Sequence, residues 1–535
     1  MANVKTGPLW WQSGVIYQVY PRSFQDTDGD GVGDLNGITR RLDYLAALGI
    51  DAIWISPIYP SPMADFGYDV AGYTDIDPLF GTLADFDALL QAAHGRGLKV
   101  ILDFVPNHTS QAHPWFVEAR ASRASPKRDW YIWRDPAADG GPPNNWLSEF
   151  GGSAWEYDAA TGQYYYHAFL KAQPDLNWRN PAVVAAMHGV LRFWLERGVD
   201  GFRIDALWHV IKDDAFRDNP PNPDFRPGMN PHARLTQLYT GDRPELMGVI
   251  AGFRALADSY GARVLIGEAY LPLHRIVAYY GEKGDGVHLP FNFTLLAAPW
   301  RAAELGALIA AYEAAIPEGG WPNWVLSNHD RPRVTGRLGP DQARVAAMLL
   351  LTLRGTPTLY YGDEIGMAQV EIPPDRIRDP YEKNVPGLGL GRDGARTPMQ
   401  WDDGPFAGFS TVEPWLPLAP DFTEVNVRAE QGEAGSMLTL TRALLALRRG
   451  HPALSVGSWL PVSATGDLLA YLRQGDGESF LVALNLGGEP LSAAFADLSV
   501  RGAVRISTAG PREGEAVRGS IDLRPNEGVI VQLSG

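Results

Sequence analysis

The sequence of 535 residues contains no cysteine. This absence excludes disulfide bonds, thiolate catalysis and zinc–thiolate sites. Positive charge is also scarce, because 46 Lys and Arg residues stand against 62 Asp and Glu residues and leave a formal net charge of −16. Nucleic-acid binding depends on cationic side chains that neutralise phosphates, so we expect no nucleic-acid partner.

Long apolar runs are missing as well. No stretch approaches the roughly 20 uninterrupted apolar residues that a membrane helix needs, and the residues from Met1 to Trp11 lack the basic and apolar regions of a signal peptide. We therefore expect no membrane partner and a cytoplasmic location. The length indicates two to three domains, and we expect a monomer or a weak homo-oligomer.

The chain alternates between short β-rich apolar runs and amphipathic helical stretches such as 42–48 and 86–94. This alternation indicates βα units and a parallel sheet. Eight strands are the number that closes a (β/α)₈ TIM barrel, so the predicted fold class is α/β. The runs are 15–21, 52–58, 99–105, 198–204, 263–267, 287–293, 324–327 and 356–361.

Three stretches depart from this alternation. Residues 107–178 are too long for a loop and predict a small domain inserted after strand 3. Residues from about 363 to 426 predict a second, irregular insertion. The short segments of 453–535 predict a C-terminal antiparallel β-sandwich, which leaves 1–106 and 179–452 for the catalytic barrel.

Asp205, Glu268 and Asp330 each stand at or just after the C-terminal end of a predicted strand. A TIM barrel carries its active site on that rim. Glycoside hydrolysis needs one carboxylate to attack the anomeric carbon and one protonated acid to release the leaving oxygen, about 5–5.5 Å apart in a retaining enzyme. Arg203 points to the same side of its strand as Asp205, so its guanidinium is expected to hold Asp205 ionised. The 17 Trp residues also suit sugar binding, since flat aromatics stack on sugar faces.

With their neighbours, these residues resemble the α-amylase superfamily of glycoside hydrolases, and within it the oligo-1,6-glucosidase and α-glucosidase branch. The resemblance covers roughly residues 8–535. Each motif is weak by itself, but together and in the family's order they are specific. The motifs are 103–108 (DFVPNH), 173–178 (QPDLNW), 201–206 (GFRIDA), 267–268 (GE), 327–330 (SNHD) and 396–402 (RTPMQWD).

The resemblance implies that Asp205 is the nucleophile, that Glu268 is the acid/base, and that Asp330 braces an oxocarbenium-like transition state through sugar hydroxyls. Crowding by other acids is expected to raise the pKa of Glu268 and keep it protonated. No organic cofactor is implied. The substrate-binding residues implied are Asp65, Tyr68, His108, Phe150, Phe169, Arg203, His329 and Arg396.

Several of these residues have specific roles or open alternatives. Asp65 and Arg396 match the family's pair that grips the non-reducing 4-OH and so makes an enzyme act on chain ends. Arg396 is alternatively an ordinary ion-pair partner. His108 and His329 match sugar-binding histidines, but buried core histidines are the alternative.

The aromatic residues of the site leave the same kind of choice. Tyr68 and Phe169 would stack on the sugar or simply pack in the core. Phe150 and Phe169, both from the inserted domain, would wall the pocket.

Two features bear on substrate choice. Ala206 directly follows the implied nucleophile. By the same resemblance, family members that prefer α-1,6 bonds carry Val at this position, and members with a smaller residue prefer α-1,4 bonds. Ala206 therefore favours α-1,4 linkages and maltose over isomaltose. The proline-rich stretch 212–244 predicts a stiff loop that crowds the leaving-group side and favours short substrates.

Residues 26–34 (DTDGDGVGD) resemble the opening of a calcium loop, although position twelve is Gly37 rather than the Glu of an EF-hand. In this enzyme branch the stretch after the first strand is similar to a structural metal loop, and a solvated acidic turn is the alternative. We expect a structural Ca²⁺, or Mg²⁺ in its place. The implied ligands are Asp26, Asp28, Asp30, the carbonyl of Val32, and Asp34.

The expected function is therefore that of a retaining, exo-acting α-glucosidase on short α-1,4-linked glucosides such as maltose, together with transfer of glucose to other acceptors. A sucrose hydrolase or isomerase and an α-1,6-acting glucosidase are alternatives with the same acids. A non-catalytic barrel relative that serves as a transporter subunit is a further alternative. It conflicts with the retention of all three acids.

Overall fold

The computed structural model describes residues 7–495 and 501–534. Parts of the predicted barrel and C-terminal ranges, at 1–6, 496–500 and 535, lie outside the described residues. The first eleven strands are β1 (Ile16–Val19), β2 (Ala52–Ile55), β3 (Lys99–Phe104), β4 (Trp133–Arg134), β5 (Trp155–Asp158), β6 (Gln163–Tyr166), β7 (Gly201–Ile204), β8 (Val264–Glu268), β9 (Leu289–Phe291), β10 (Asn323–Val325) and β11 (Thr356–Tyr360).

Eight of these strands form a parallel sheet in the order β10-β11-β1-β2-β3-β7-β8-β9. The two end strands, β9 and β10, lie against each other, which closes the sheet into a barrel. Its strands are almost entirely buried, because helices cover the outside and side chains fill the inside. Every predicted run overlaps one of these strands, and the predicted TIM barrel is confirmed.

Helices follow the strands, and local sequence determines where they begin and end. Asp34 caps the second helix by accepting the Gly37 N–H, and Gly49 ends it at φ 100°, a conformation that glycine adopts without strain. Within residues 7–495 and 501–534, no helix has the length and apolar character to span a bilayer. The helices are α1 (Trp10–Ser13), α2 (Leu35–Leu48), α3 (Leu83–His94), α4 (Pro114–Ala121), α5 (Pro181–Glu196), α6 (Leu246–Asp258), α7 (Leu273–Ile276), α8 (Thr294–Ala297), α9 (Ala302–Ala315), α10 (Val334–Leu338), α11 (Pro340–Thr352), α12 (Pro380–Asn384), α13 (Val427–Gln431), α14 (Met437–Gly450) and α15 (Pro452–Ser455).

The part inserted between β3 and α5 has a small core of its own. Its antiparallel strands follow the order β4-β6-β5, and Trp146 packs against Trp155 of β5 and Tyr166 of β6. Phe216, from the proline-rich loop 212–244, stacks on Trp146 with the ring centroids 5.5 Å apart. The inserted part and the loop are therefore attached to each other above the barrel rim.

The last eight strands form an antiparallel sheet folded over its own core. They are β12 (Ser458–Thr465), β13 (Leu468–Gly475), β14 (Glu478–Asn485), β15 (Leu491–Ala494), β16 (Arg501–Ser507), β17 (Ala516–Arg518), β18 (Ser520–Leu523) and β19 (Gly528–Leu533). Along β13, Leu468 and Ala470 enter this core, whereas Leu469 and Tyr471 pack with barrel residues, as the alternation of a strand requires. The predicted β-sandwich is confirmed, and the predicted edges of the domains stay predictions.

Candidate active site

The three acids predicted to be catalytic lie around one cavity. Asp205 follows β7, Glu268 ends β8 and Asp330 follows β10. Parallel strands present their C-terminal ends on the same rim, so these side chains converge although they are far apart in sequence. All three line a cavity of about 300 Å³.

Arg203 connects the predicted nucleophile and the predicted acid/base from beneath the cavity. Its side chain has no exposed surface, and Nη1 donates to Asp205 Oδ1 at 2.8 Å. Nη2 lies 2.8 Å from Glu268 Oε2, and Nη1 also donates to Asp103 Oδ1 at 2.9 Å. Arg203 thus lies behind the acids rather than in the cavity wall, where a substrate-binding residue was predicted. Its single guanidinium contacts three carboxylates.

Ala206 adds a second link between the two acids. Its backbone is left-handed, with φ 44° and ψ 36°, and this sharp turn directs its N–H to Glu268 Oε2 at 2.8 Å. A non-glycine residue in this region costs free energy, which is typical of functional turns. The turn therefore holds the carboxyl of Glu268 beside that of Asp205.

Burial raises the pKa of Asp205 and of Glu268 above their ordinary values, and Arg203 opposes that effect in both cases. The charge of Asp330 raises the pKa of Glu268 further. Burial is therefore the larger cause, and crowding by other acids is a smaller one. Each carboxylate also disfavours ionisation of the other, so we expect the pair to lose its two protons in separate steps.

Asp330 differs from that pair because it faces several cationic groups. Arg396 Nη2 donates to its Oδ1 at 2.9 Å and Arg392 Nη1 at 3.1 Å. Burial opposes ionisation, but His329 and the two guanidinium groups outweigh it and hold the pKa of Asp330 below its ordinary value. Asp330 is therefore an anion at neutral pH.

The predicted pairing of Asp65 with Arg396 is wrong. Arg392 Nη2 donates to Asp65 Oδ1 at 2.6 Å, and Arg392 lines the cavity. Arg396 has no exposed surface and donates from Nε to the carbonyl of His329 at 2.7 Å. The RTPMQW signature begins at Arg396, but Arg392, four residues earlier and just before the short helical turn Asp393–Ala395, is the arginine that lines the cavity.

Tyr68 and His108 line the cavity, whereas His329 lies behind it. His329 has no exposed surface, stacks on Tyr68 with an interplanar angle of 3°, and its Nε2 is 2.6 Å from Tyr68 Oη. Its ring is therefore that of a core histidine that positions Tyr68. Burial lowers the pKa of His108 to about 4, so His108 is neutral at neutral pH.

Both predicted aromatic walls are present. Phe150 and Phe169 line the cavity. The guanidinium of Arg392 lies over the Phe150 ring at 5.1 Å. Phe169 lies between His108 and His209, with ring centroids 5.3 Å from each. The inserted part therefore contributes one side of the cavity.

Sequence reasoning missed other lining residues. The insertion at 363–426 contributes directly to the cavity, which its irregular sequence did not indicate. Nothing in the local sequence marks either Arg392 or Glu149 as a lining residue. The missed residues that matter below are Glu149, Trp208, Tyr270, Arg331, Tyr381 and Arg392.

A family model for the α-amylase catalytic domain matches residues 18–457. The chain belongs to the α-amylase family. A probable α-glucosidase of Rhizobium meliloti (strain 1021) is 45% identical over 90% of each chain, and an oligo-1,6-glucosidase of Heyndrickxia coagulans is 38% identical over 90% of this chain and 93% of its own. The predicted superfamily and branch are confirmed, and the protein is a glycoside hydrolase.

Solved structures of family members have the same architecture. The α-glucosyl transfer enzyme XgtA is 42% identical, covers 99% of this chain and 100% of its own, and has a TM-score of 0.93. The trehalulose synthase MutB from Pseudomonas mesoacidophila MX-45 is 36% identical with the same coverage and a TM-score of 0.91.

The proline-rich loop 212–244 does not line the cavity, but it contacts residues that do. Among the described residues, none of 212–244 lines the cavity. Asn230 of the loop donates to the carbonyl of Glu149 at 3.1 Å and to Tyr381 Oη at 2.5 Å, and His232 Nδ1 lies 3.2 Å from Glu149 Oε2. The loop therefore supports two lining residues from behind.

The predicted metal loop brings three carboxylates together. One oxygen each of Asp26, Asp28 and Asp34 lies within 4.8 Å of the others, while Asp30 accepts the Val32 N–H at 2.7 Å. Burial, and then the charge of Asp30, raises the pKa of Asp28. Carboxylate oxygens are the ligands that Ca²⁺ and Mg²⁺ prefer, so this donor set fits such an ion.

Proposed function

We propose that the protein is a retaining, exo-acting α-glucosidase that releases glucose from the non-reducing end of short α-1,4-linked glucosides such as maltose. The observation that carries the proposal is the shared Arg203: Asp205 and Glu268 both contact its buried guanidinium, and both line a cavity that the hydrogen-bonded pair Asp65 and Arg392 also lines.

The terminal glucose occupies the end of the cavity at Asp65 and Arg392, which we call the closed end. Asp65 and Arg392 hold its 4-OH, so a chain cannot extend past this end. Asp330, held anionic by Arg392 and Arg396, accepts hydrogen bonds from the ring hydroxyls. These bonds strengthen as positive charge develops on the sugar, which stabilises the transition state more than the ground state.

Bond cleavage proceeds by double displacement. Asp205 attacks the anomeric carbon, the bond to the leaving oxygen breaks, and Glu268 transfers its proton to that oxygen. Glu268, now a carboxylate, then takes a proton from water, and the water oxygen displaces Asp205 from the glucosyl ester. Two inversions restore the α configuration. The Ala206 N–H at 2.8 Å keeps Glu268 aligned for both steps.

Linkage preference rests on Ala206, which lines the cavity beside both acids. Its small side chain leaves room for the leaving glucose of an α-1,4 bond. We expect kcat/KM for maltose to exceed that for isomaltose. Faster glucose release from isomaltose would contradict the linkage preference without affecting the retaining mechanism.

Transfer of glucose to acceptors other than water is part of the proposal. The glucosyl-Asp205 ester reacts with any hydroxyl that enters the leaving-group side, and the relative XgtA is described as an α-glucosyl transfer enzyme. A sucrose-acting enzyme is the second candidate, because MutB, at 36% identity, is described as a trehalulose synthase. Products formed from sucrose distinguish the two.

We also propose a structural Ca²⁺, or Mg²⁺, held by Asp26, Asp28, Asp30, Asp34 and the carbonyl of Val32. The cluster of Asp26, Asp28 and Asp34 supports it. When bound, the ion would neutralise adjacent carboxylates in the loop after β1. No step of the reaction depends on it.

The decisive experiment follows the anomer of newly released glucose by NMR with a nitrophenyl α-glucoside as substrate, because all of its glucose comes from the attacked anomeric carbon. We expect α-glucose first, with β-glucose appearing later by mutarotation. We also expect Asp205→Asn to lower kcat by at least about 10³-fold. Initial release of β-glucose, or full turnover by Asp205→Asn, would overturn the double displacement.

A further inference from the structure

Glu149 is a fourth carboxylate in the cavity, and the proposed reaction does not use it. It lies in the inserted part, lines the cavity, and its side chain is 25% exposed. Its neighbours are histidines: His232 Nδ1 is 3.2 Å from Oε2, and His209 Nε2 is 3.6 Å from Oε1. Within residues 7–495 and 501–534, no Lys or Arg forms an ion pair with it.

The contacts of Glu149 place it on the leaving-group side. Tyr270, two residues after Glu268, packs against Trp208 with ring centroids 5.4 Å apart. Trp208 packs against His209 at 4.7 Å, and His209 lies beside Glu149. This row of side chains starts two residues after Glu268, the residue that protonates the leaving oxygen, and ends at Glu149. The closed end, formed by Asp65 and Arg392, belongs to the other side of the scissile bond.

The carboxyl of Glu149 is ionised although it is largely buried. Burial raises its pKa, but His232, His209 and Arg331 together lower the pKa below its ordinary value. Two elements fix its position, since His209 follows the Ala206 turn and His232 belongs to the proline-rich loop. A carboxylate held in this way accepts hydrogen bonds strongly and cannot donate them.

Arg331 supplies the complementary donor. It lines the same cavity, and its guanidinium lies over the Tyr270 ring at 4.8 Å. A sugar hydroxyl both donates and accepts, so adjacent hydroxyls of one ring can meet a carboxylate and a guanidinium together. A nitrophenyl group has no O–H that could donate a hydrogen bond to the Glu149 carboxylate.

We propose that Glu149 is a specificity-determining residue that accepts a hydrogen bond from the leaving-group sugar. The substrate class is then an α-glucoside with a hydroxylated, uncharged leaving group, and glucosyl acceptors belong to the same class. This inference rests on the proposed function, because it assigns the leaving-group side of the same site.

The test compares Glu149→Gln with the wild type on maltose and on a nitrophenyl α-glucoside. A lost charge-assisted hydrogen bond corresponds to about tenfold or more. We expect kcat/KM for maltose to fall by about tenfold, mainly through KM, and kcat/KM for the aryl glucoside to stay within about twofold. Glu149→Ala should show the same loss of selectivity.

The matched control is Glu156→Gln, which changes a partly buried glutamate on β5 of the same inserted part. This control variant should leave kcat/KM unchanged for both substrates. Equal losses on both substrates by Glu149→Gln, or no change on maltose, would overturn the inference. If the wild type hydrolysed neither substrate, the proposed function itself would fall, a result distinct from unchanged selectivity.

Discussion

The charge balance of the active site depends on one residue, Arg203. Alternation along a strand predicts that Arg203 lies on the side of Asp205. Its contacts with Asp103 and Glu268 follow instead from the sheet order, in which β7 lies between β3 and β8. Those two contacts could not be predicted from the local sequence, because each joins residues from different strands.

The correction from Arg396 to Arg392 has a direct test. Arg392 contacts Asp65 and Asp330 through two different nitrogens. The single ammonium nitrogen of lysine cannot replace both, so Arg392→Lys should weaken binding of the 4-OH. We expect kcat/KM for a nitrophenyl α-glucoside to fall by about 10²-fold and the loss to shrink to under about tenfold on the 4-deoxy analogue.

Arg396→Lys is the matched variant. Arg396 reaches Asp330 and the His329 carbonyl from behind the cavity, so its replacement should reduce kcat/KM by the same factor on both substrates. Steady-state kinetics of the two variants on the two substrates decide the assignment. An undiminished loss for Arg392→Lys on the 4-deoxy substrate would contradict it.

The raised pKa values of Asp205 and Glu268 predict a bell-shaped profile of kcat/KM against pH. Activity falls at low pH as Asp205 gains a proton and at high pH as Glu268 loses one, and burial moves both limbs above ordinary carboxyl values. With an aryl glucoside whose leaving group needs no protonation, Glu268→Gln should lose the basic limb.

The acid limb of the same variant should stay where it is in the wild type. Asp205 loses its proton while Glu268 is still protonated and uncharged, so an uncharged glutamine leaves that titration unchanged. A basic limb that persisted in Glu268→Gln would show that another group titrates there, and the acid/base assignment would then be wrong.

At the scale of elements, the barrel supplies the acids, and two irregular segments shape the cavity around them. The insertion at 363–426 brings Tyr381 and Arg392 to the rim. The loop 212–244 holds Glu149 and Tyr381 from outside. Both segments were recognised in the sequence as irregular, but their contribution to the cavity was not, because it depends on contacts between segments distant in the chain.

Shortening the proline-rich loop should change preference for substrate length. The N–H of Asn222 donates to the carbonyl of Arg234 at 2.8 Å, so a two-residue Asn-Gly turn can replace residues 223–233 between them. Because Asn230 and His232 are removed, we expect kcat/KM for maltoheptaose relative to maltose to rise by about fivefold.

The aryl glucoside is the internal control for this variant, because its leaving group is a single ring and does not extend as far as a second sugar chain would. Its kcat/KM should stay within about twofold, which shows that the acids remain in place. An unchanged ratio of maltoheptaose to maltose would mean that the loop does not restrict substrate length.

At the scale of the whole molecule, the predicted metal loop connects the first strand with the second insertion. Ser410 Oγ donates to Asp26 Oδ2 at 2.6 Å, and the Asp26 N–H donates to the carbonyl of Phe409 at 2.9 Å. The Trp415 N–H donates to the carbonyl of Gly31 at 3.0 Å. The loop is therefore hydrogen-bonded to the same insertion that carries Arg392.

Removal of the metal should lower the melting temperature more than the activity. An ion bound at about 100 times its Kd stabilises a fold by about 2.7 kcal/mol, so chelation should reduce Tm by about 2 °C or more. Added Ca²⁺ should restore it, as measured by differential scanning calorimetry.

Asp28→Asn makes this test sharper. Burial and the neighbouring acids raise the pKa of Asp28, which means that the folded protein disfavours its negative charge. The substitution removes that charge, so it should raise Tm in the presence of chelator and reduce the increase in Tm that Ca²⁺ produces. Asp139→Asn, at an exposed position of the inserted part, should leave both values unchanged. A wild-type Tm that is insensitive to chelator and to Ca²⁺ would contradict the metal site.

The sequence alone determined the barrel, its eight strands and the rim on which Asp205, Glu268 and Asp330 meet, through the spacing of its hydrophobic residues and the acids at its strand ends. This succeeded because hydrophobic spacing and strand polarity are local properties of the chain. The tertiary structure alone decided that Arg392 faces Asp65, that His329 lies behind Tyr68, and that Glu149 enters the cavity. Each of those results depends on which distant segment packs against the rim, and no local pattern encodes such packing.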